Sequence, residues 1–255
     1  MHPSSDIAVS RAGYARWLLA CAASLALTPA VAQEAGEWSV QVTPYVWGSG
    51  IDGSATPFAG APTITFERSF SEVLEDLDGA FFLSGFARRD RLVLVGDFSY
   101  ASSSKEGRVP PGIPAEGEFR QTSLTLVAGY RVVDEPGMSI DVLAGARQWR
   151  VRSAVDVPLA GISRSPSDEF TDPIVALRTN IALAERWSTV LYADAGGFGV
   201  GSDRTSQLVA TVNYKITDQA YVSGGYRRLN VDYASGGTRV DVTLDGPLVG
   251  VTWRF

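Results

Sequence analysis

Apolar and polar residues alternate one by one in long stretches of this sequence, most clearly in 92–100, 123–132 and 207–216. Side chains on a β-strand point alternately to opposite faces, so each stretch predicts a strand with one apolar and one polar face. Each is about ten residues long, which is the length that a tilted strand needs to cross a bilayer core. After the N-terminal region, no segment has the roughly 18 consecutive apolar residues of a membrane-spanning helix.

The connections between the predicted strands alternate in length. Short turns are predicted at 88–91, 134–137, 184–186 and 217–219, and longer loops at 101–117, 152–173, 201–205 and 233–238. This alternation is typical of a transmembrane β-barrel, in which short turns face the periplasm and longer loops face outward. A soluble β-sandwich rarely sorts its loops in this way, and its strands are shorter.

The C-terminus is the sharpest local signal. Val249, Val251, Trp253 and Phe255 share one strand face, and the last residue is aromatic. The pattern formed by Gly250, Trp253 and Phe255 resembles the signal by which bacterial outer-membrane barrels are recognised for assembly. Amphipathic rings at these positions favour the headgroup level of a membrane. The resemblance implies the barrel assembly machinery as a partner.

The N-terminus predicts an export signal. Arg11 and Arg16 precede the apolar run 17–27, and an Ala-x-Ala ending follows at Ala30 and Ala32. We therefore expect a cleaved signal peptide at 1–32 and a single barrel domain at 33–255. Cys21 offers lipid attachment as an alternative, but cleavage there would leave almost no apolar run.

Composition excludes several classes of protein. The net charge of −6 argues against nucleic-acid binding, and 45% hydrophobic residues argue against disorder. The single His and the single Cys are His2 and Cys21, so the processed chain has neither. Without imidazole or thiolate, the usual zinc sites and His-dependent hydrolytic mechanisms are unavailable, and we expect no catalytic residue, no metal and no cofactor. Calcium at outer-loop carboxylates is an alternative that lacks EF-hand spacing.

The pattern predicts about ten strands, with eight or twelve as alternatives. The predicted spans are 38–48, 79–88, 91–100, 119–132, 138–151, 174–184, 187–199, 206–216, 220–232 and 240–255. Segment 51–78 is extra, and an eleventh span there would leave the wrong loops in the periplasm. We therefore assign it to the first outer loop.

A short helix is predicted within that loop. Ser69 and Glu72 form a capping box, with Ser69 as N-cap. Phe70, Val73, Leu74 and Leu77 then make one apolar helical face over about 70–77. We expect this face to pack over or into the mouth of the barrel.

Three stretches carry a resemblance to a known family. Residues 44–53, 70–78 and 225–227 resemble small outer-membrane β-barrel proteins of Gram-negative bacteria, in a family usually left without assigned activity. The resemblance covers nearly all of 37–255. It implies an all-β antiparallel transmembrane barrel in the cell outer membrane, surrounded by lipid, and it carries no catalytic residues.

Five charged residues fall in the polar register of their strands near the middle of each span. They are Asp97, Arg147, Arg178, Asp194 and Arg227. An Arg facing lipid at mid-membrane costs about 2 to 4 kcal/mol, so these side chains are expected inside the barrel. There the three cations and two anions would pair in one layer.

This predicted layer favours a polar lumen that is largely closed, in a non-enzymatic barrel with a structural or surface-interaction role. A narrow, weakly anion-preferring pore for small solutes is an alternative, since charged rings set pore selectivity. A lipid-modifying barrel enzyme is a further alternative, which the absence of His disfavours. A soluble exported binding protein with an apolar cavity is another alternative. An external ligand at the outer loops is a candidate partner, and nucleic acid is not.

Overall fold

Strands account for most of the residues that the computed structural model describes, which are 36–56, 59–60, 62–109, 113–157, 162–165 and 167–255. All of these belong to one compact unit, Ala32–Phe255. The predicted signal peptide, His2 and Cys21 lie outside the described residues.

Thirteen strands and one short helix follow each other along the described chain. They are β1 (Ser39–Trp47), β2 (Gly50–Thr56), β3 (Ile64–Arg68), α1 (Phe70–Glu75), β4 (Leu77–Arg89), β5 (Leu92–Val109), β6 (Ile113–Glu135), β7 (Met138–Val157), β8 (Ile162–Arg164), β9 (Ser167–Ala184), β10 (Trp187–Gly197), β11 (Arg204–Lys215), β12 (Ala220–Ser235) and β13 (Thr238–Arg254).

Ten of the described strands form a closed antiparallel barrel in the order β1-β4-β5-β6-β7-β9-β10-β11-β12-β13. The barrel closes where β13 pairs with β1, from Gln41 opposite Arg254 to Trp47 opposite Leu248. Closure leaves no open edge in the wall, which satisfies the backbone hydrogen bonds that lipid cannot. The predicted ten-strand barrel is confirmed, and the alternatives of eight and twelve strands are wrong.

The first outer loop continues the closing strand. β13 pairs with β1 over its C-terminal half and with β2 over its N-terminal half, and Gly48 donates its N–H to the Pro247 carbonyl at the junction, at 2.9 Å. β2 then folds back on β3 as a hairpin above the barrel wall. Segment 51–78, which the sequence assigns to the first outer loop, therefore contains most of β2 and all of β3.

Helix α1 follows the hairpin and is shorter than the sequence predicts. The Glu72 carboxylate accepts the Ser69 N–H at 2.8 Å as the capping box requires, and the hydrogen bonds from Ser69 hold the pKa of this carboxyl below its ordinary value. None of the helical residues is buried, and Phe70 and Leu74 are exposed. The expected packing of the whole apolar face is wrong, since Leu77 already begins β4. No helix among the described residues is long and apolar enough to cross a membrane.

The two faces of the wall have opposite polarity. Leu124, Leu208, Val212 and Trp253 are exposed on the outward face, whereas Arg147, Asp194 and Arg227 are buried on the inward face at mid-height. A large apolar exterior around a closed sheet needs lipid as its solvent, which places the barrel across the outer membrane. The soluble alternative, with apolar residues inside and polar residues outside, is therefore wrong.

The two ends of the barrel differ in height. At the turn end, short connections join β4–β5, β6–β7, β9–β10 and β11–β12, and both termini of the barrel lie there. At the loop end, the β5–β6 ladder continues to Val109 opposite Ile113, and the β6–β7 ladder to Glu116 opposite Asp156. The predicted loops 101–117 and 152–173 are thus mostly strand. Backbone pairing does not need an apolar face, so the strands continue with polar residues outside the membrane. β5, β6, β7 and β9 form a tall wall at the loop end, and the β10–β11 hairpin stops well below it.

Single cysteines test which end faces outward, since the processed chain has no other thiol. Ser235→Cys lies in the exposed β12–β13 turn at the loop end, and Asp218→Cys lies in the exposed β11–β12 turn at the turn end. We expect a membrane-impermeant maleimide to label Ser235→Cys on intact cells and to label Asp218→Cys only after the outer membrane is opened. Labelling of Asp218→Cys on intact cells would reverse the orientation.

Candidate functional site in the barrel lumen

All five charged residues singled out in the sequence point into the lumen. Arg147, Asp194 and Arg227 are buried in the middle of β7, β10 and β12, and Asp97 is partly buried in the middle of β5, because the strand register turns all four away from lipid. Arg178 on β9 also faces inward. The structure joins four of them into two ion pairs, and it places the fifth in a separate group.

The first ion pair joins β7 to β10. Arg147 Nη2 lies 2.5 Å from Asp194 Oδ2, and both side chains are excluded from solvent. The other guanidinium nitrogens donate to Thr125 Oγ1 at 2.9 Å and to Thr205 Oγ1 at 3.1 Å. Arg147 therefore connects four strands through one side chain, which fixes the wall at this level.

The second ion pair lies on the other side of the lumen. Arg227 Nη2 lies 3.2 Å from Asp97 Oδ1 and donates to Gln207 Oε1 at 2.6 Å. The Tyr45 hydroxyl donates to Asp97 Oδ2 at 2.9 Å and accepts a hydrogen bond from Arg227. Tyr45 thus links the two partners of this ion pair across the closing strand β1.

Arg178 lies in a different group from the one that the sequence suggested. Its Nη1 lies 3.2 Å from Asp141 Oδ2, and Asp141 Oδ1 also accepts from Arg131 Nε at 2.8 Å. Asp141 follows the β6–β7 turn closely, so this group lies nearer the turn end than the two ion pairs. The expectation of a single layer fails because strand tilt and stagger separate residues that are equally far from their own turns. Arg178 also lies over the Phe86 ring, at 4.2 Å from its centroid.

An aromatic cluster covers the two ion pairs on their loop-end side. Trp47 and Phe82 lie with ring centroids 6.1 Å apart, and the Arg227 guanidinium lies 4.5 Å from the Trp47 ring. On the other side of the lumen, Phe170 stacks on Tyr233 at 4.4 Å. We call this the upper cluster; its buried members are Trp47, Phe82, Trp149, Leu229, Val231 and Leu248.

A second apolar cluster lies on the turn-end side of the ion pairs, along the β5–β10 side of the lumen. We call it the lower cluster; its buried members are Val93, Val127, Leu143, Ile174, Ala176 and Tyr192. Together with the ion pairs and the upper cluster, it places buried side chains in the lumen at mid-height. A barrel of this size is only slightly wider than the eight-strand size that side chains fill completely.

Asp172 belongs to this interior and not to a loop. Its Oδ1 accepts the Ser202 backbone N–H at 2.6 Å, and its Oδ2 accepts Trp149 Nε1 at 3.1 Å. The sequence placed Asp172 among outer-loop carboxylates that could hold calcium. In the described part of the chain, no group of three or more His, Cys, Asp or Glu side chains is arranged to hold a metal ion.

A cavity of about 540 Å³ occupies the turn-end half of the lumen. It opens at the turn end and reaches Tyr45, Asp97, Arg227 and Leu248. Polar side chains line it on β1, β13, β12 and β11, and apolar side chains such as Phe86, Val95 and Val190 line other parts of it. We call it the vestibule. The Arg227–Asp97 ion pair lies at its floor.

Sequence reasoning missed Asp141, Arg131 and the aromatic members of the upper cluster. Arg131 and Asp141 occupy the inward register that was already recognised in β6 and β7, so register alone could have included them. Trp149 shares its face with Arg147, two residues earlier. Trp47 and Phe82 had no such signal, because an aromatic residue near a strand end fits a membrane interface equally well.

The Arg147–Asp194 ion pair predicts a contrast between single and paired substitution. Arg147→Met leaves the buried Asp194 carboxylate without its cation and should destabilise the barrel by about 3 to 5 kcal/mol. Arg147→Met with Asp194→Leu removes both charges and should recover most of that loss. Urea unfolding in detergent micelles measures both variants, and a single variant as stable as the parent would contradict this role for the pair.

No protein-family model matches the sequence, and no curated protein matches it. Among solved structures, the chain is similar to the outer membrane protease OmpT from Escherichia coli, with a TM-score of 0.48 and 11% identity over 85% of this chain and 97% of that chain. It is also similar to the translocator domain of the autotransporter NalP from Neisseria meningitidis, with a TM-score of 0.46 and 16% identity over 88% and 90% of the two chains. For Ail of Yersinia pestis, the TM-score is 0.36 and the identity 12%, over 87% and 100%.

Proposed function

We propose that this outer-membrane barrel is non-enzymatic and closed to solutes, and that it acts through its loop-end surface. The observation that supports the proposal is the level of the lumen at which the two ion pairs lie, which we call the closed level. Two ion pairs and two apolar clusters meet there, and Arg147 and Leu229 are almost completely excluded from solvent.

The buried charges support closure better than conduction. A conducting pore needs charged side chains that face water and exchange their partners with passing ions. Here Arg147 and Arg227 each hold a carboxylate and additional neutral oxygens. An ion crossing this level would have to break these contacts inside a low-dielectric wall, at a large electrostatic cost.

The same contacts support a non-enzymatic role. General acid–base catalysis needs a titratable group that can reach a substrate. His2 is the only histidine of the sequence and lies in the predicted signal peptide. The mid-lumen carboxylates Asp97 and Asp194 are committed to arginines.

The tall wall supports a role at the surface. The β5–β6 ladder alone extends over 18 residues of β5, well beyond the roughly ten that cross the membrane. Its projecting face carries ion pairs between Arg120 and Glu118 and between Arg150 and Glu169. A hydrogen-bonded sheet with charged side chains is a rigid, hydrated platform for contacts outside the cell.

Planar-bilayer recording tests closure. We expect the purified protein to give no steady conductance steps, because side chains fill the lumen. The variant Trp47→Ala, Asp97→Ser, Arg227→Ser removes one ion pair together with the ring that covers it, and should conduct. Steady ion-selective steps from the parent protein would favour the narrow pore instead.

The C-terminal strand supports a second proposal, that it is the segment presented to the assembly machinery. Phe255 donates its N–H to the Val40 carbonyl at 2.9 Å, and the Trp253 and Phe255 rings point outward. The last residue is therefore at the seam where the barrel closes. An assembly factor that holds this residue would hold the barrel open until closure.

Phe255→Ser should lower the amount of folded barrel in the outer membrane while leaving synthesis unchanged, because the terminal ring is lost. Phe81→Ser is the matched control, since Phe81 is also an exposed outward ring but lies away from the seam. Heat-dependent migration in gels of membrane fractions measures folded protein. Equal losses in both variants would show a general effect of losing an exposed ring.

A further inference from the structure

The vestibule has a strong excess of positive charge. Seven cationic side chains line it against two carboxylates. Among the described residues, Arg227 is paired with Asp97, Arg131 and Arg178 share Asp141, and Lys215 contacts Asp218 in the exposed turn. Three arginines, Arg88, Arg186 and Arg254, have no carboxylate partner in the part of the chain that the structure describes.

Two of these arginines flank the closing strand. Arg88 is the β4 neighbour of Ser39, and Arg254 is the β13 neighbour of Gln41. Ser39 and Gln41 are consecutive inward positions on β1, so the two guanidinium groups stand on either side of one strand at the open end. Arg88 donates to the Asp90 backbone carbonyl, at 2.9 Å.

The wall behind these arginines is lined by hydroxyl and amide groups. Thr43, Thr252 and Ser223 face the vestibule from three neighbouring strands, and Asn213 faces it from a fourth. Thr43 and Thr252 lie 2.8 Å apart, oxygen to oxygen, and each hydroxyl keeps capacity for another bond. Such a surface matches a ligand that carries several hydroxyl groups.

The surroundings strengthen the attraction for an anion. Lipid encloses the wall at this level, and a cleft of one sign with low-dielectric walls focuses its electric field on the solvent inside it. The floor at Tyr45, Arg227 and Leu248 is closed, so a ligand that enters has no exit through the barrel. A volume of about 540 Å³ is within the range of small-molecule sites.

From these observations we propose that the vestibule is a binding site, open at the turn end, for a sugar that carries an acidic group, either a carboxylate or a phosphate. Arg88 and Arg254 bind the acidic group at the opening. The hydroxyl and amide wall on β1, β13, β12 and β11 binds the sugar hydroxyls. The site lies on the turn-end side of the two ion pairs, and Arg88, Arg254 and the hydroxyl wall take no part in them. The closed floor rests on the proposed function, whereas binding is measured separately from conductance.

Isothermal titration calorimetry on the full barrel tests the site, in a polyoxyethylene detergent that contains no sugar. The probes are glucuronate and glucose 6-phosphate, with glucose, acetate and inorganic phosphate for comparison. We expect at least one sugar acid to bind, and to bind about tenfold or more tightly than its matching simple anion, which lacks the hydroxyl contacts. Glucose should give no measurable binding.

Charge variants separate the site from general attraction. Arg88→Gln with Arg254→Gln should weaken sugar-acid binding about tenfold or more, as expected for loss of charge-assisted contacts. Arg89→Gln is the matched control, since Arg89 is the next residue on β4 and points away from the vestibule. Thr43→Val with Thr252→Val should reduce sugar-acid affinity to that of the matching simple anion.

Heat-dependent gel migration verifies that each variant is folded, and Arg88→Gln alone replaces the double variant if Arg254→Gln disturbs the C-terminal strand. A uronic-acid trisaccharide distinguishes the two sources of such a ligand. If the trisaccharide and the single uronic acid bind with equal affinity, the natural ligand is the end of a glycan chain. If only the single uronic acid binds, the natural ligand is a free sugar acid. The proposal is overturned if neither sugar acid binds, if glucose binds equally well, or if Arg89→Gln weakens binding as much as the double variant.

Discussion

Lipid surrounds the wall of this barrel, so every charge that the wall carries at mid-height has to find its partner inside. This constraint explains why the lumen is organised around pairs: Arg147 with Asp194, Arg227 with Asp97, and Asp141 between two arginines. A buried ion pair adds little stability by itself, but removing only one of its two partners is strongly destabilising. The interior is therefore held in one arrangement, since the loss of one partner leaves the other charge unpaired in a largely buried site.

The closing seam makes this interior possible. β1 and β13 bring Tyr45 and Leu248 to the level of Arg227, and the Tyr45 hydroxyl bridges the arginine to Asp97 on β5. The strand pair that closes the barrel wall thus also completes a polar contact of the lumen. Apolar clusters above and below then exclude water from the ion pairs, which strengthens them in turn.

Much of this fold could be predicted from the sequence, because a strand between lipid and a polar interior must alternate with period two. The ten strands and their inward charges follow from that period and from the short turns. The partners of Arg178 could not be predicted. The stagger between neighbouring strands decides which residues meet, even among residues at the same distance from their own turns. The projecting parts of β5, β6 and β7 were also missed, because outside the membrane a strand has no apolar face to mark it.

The uneven height of the strands has a consequence for how the molecule meets its surroundings. β6 spans 23 residues, whereas β10 spans 11 and ends at Gly197. The outer rim is therefore uneven: the tall wall of β5, β6, β7 and β9 stands on one side, and the β10–β11 hairpin leaves a gap beside it. A barrel in a fluid bilayer rotates about the membrane normal, so the tall wall of one molecule meets neighbours on every side.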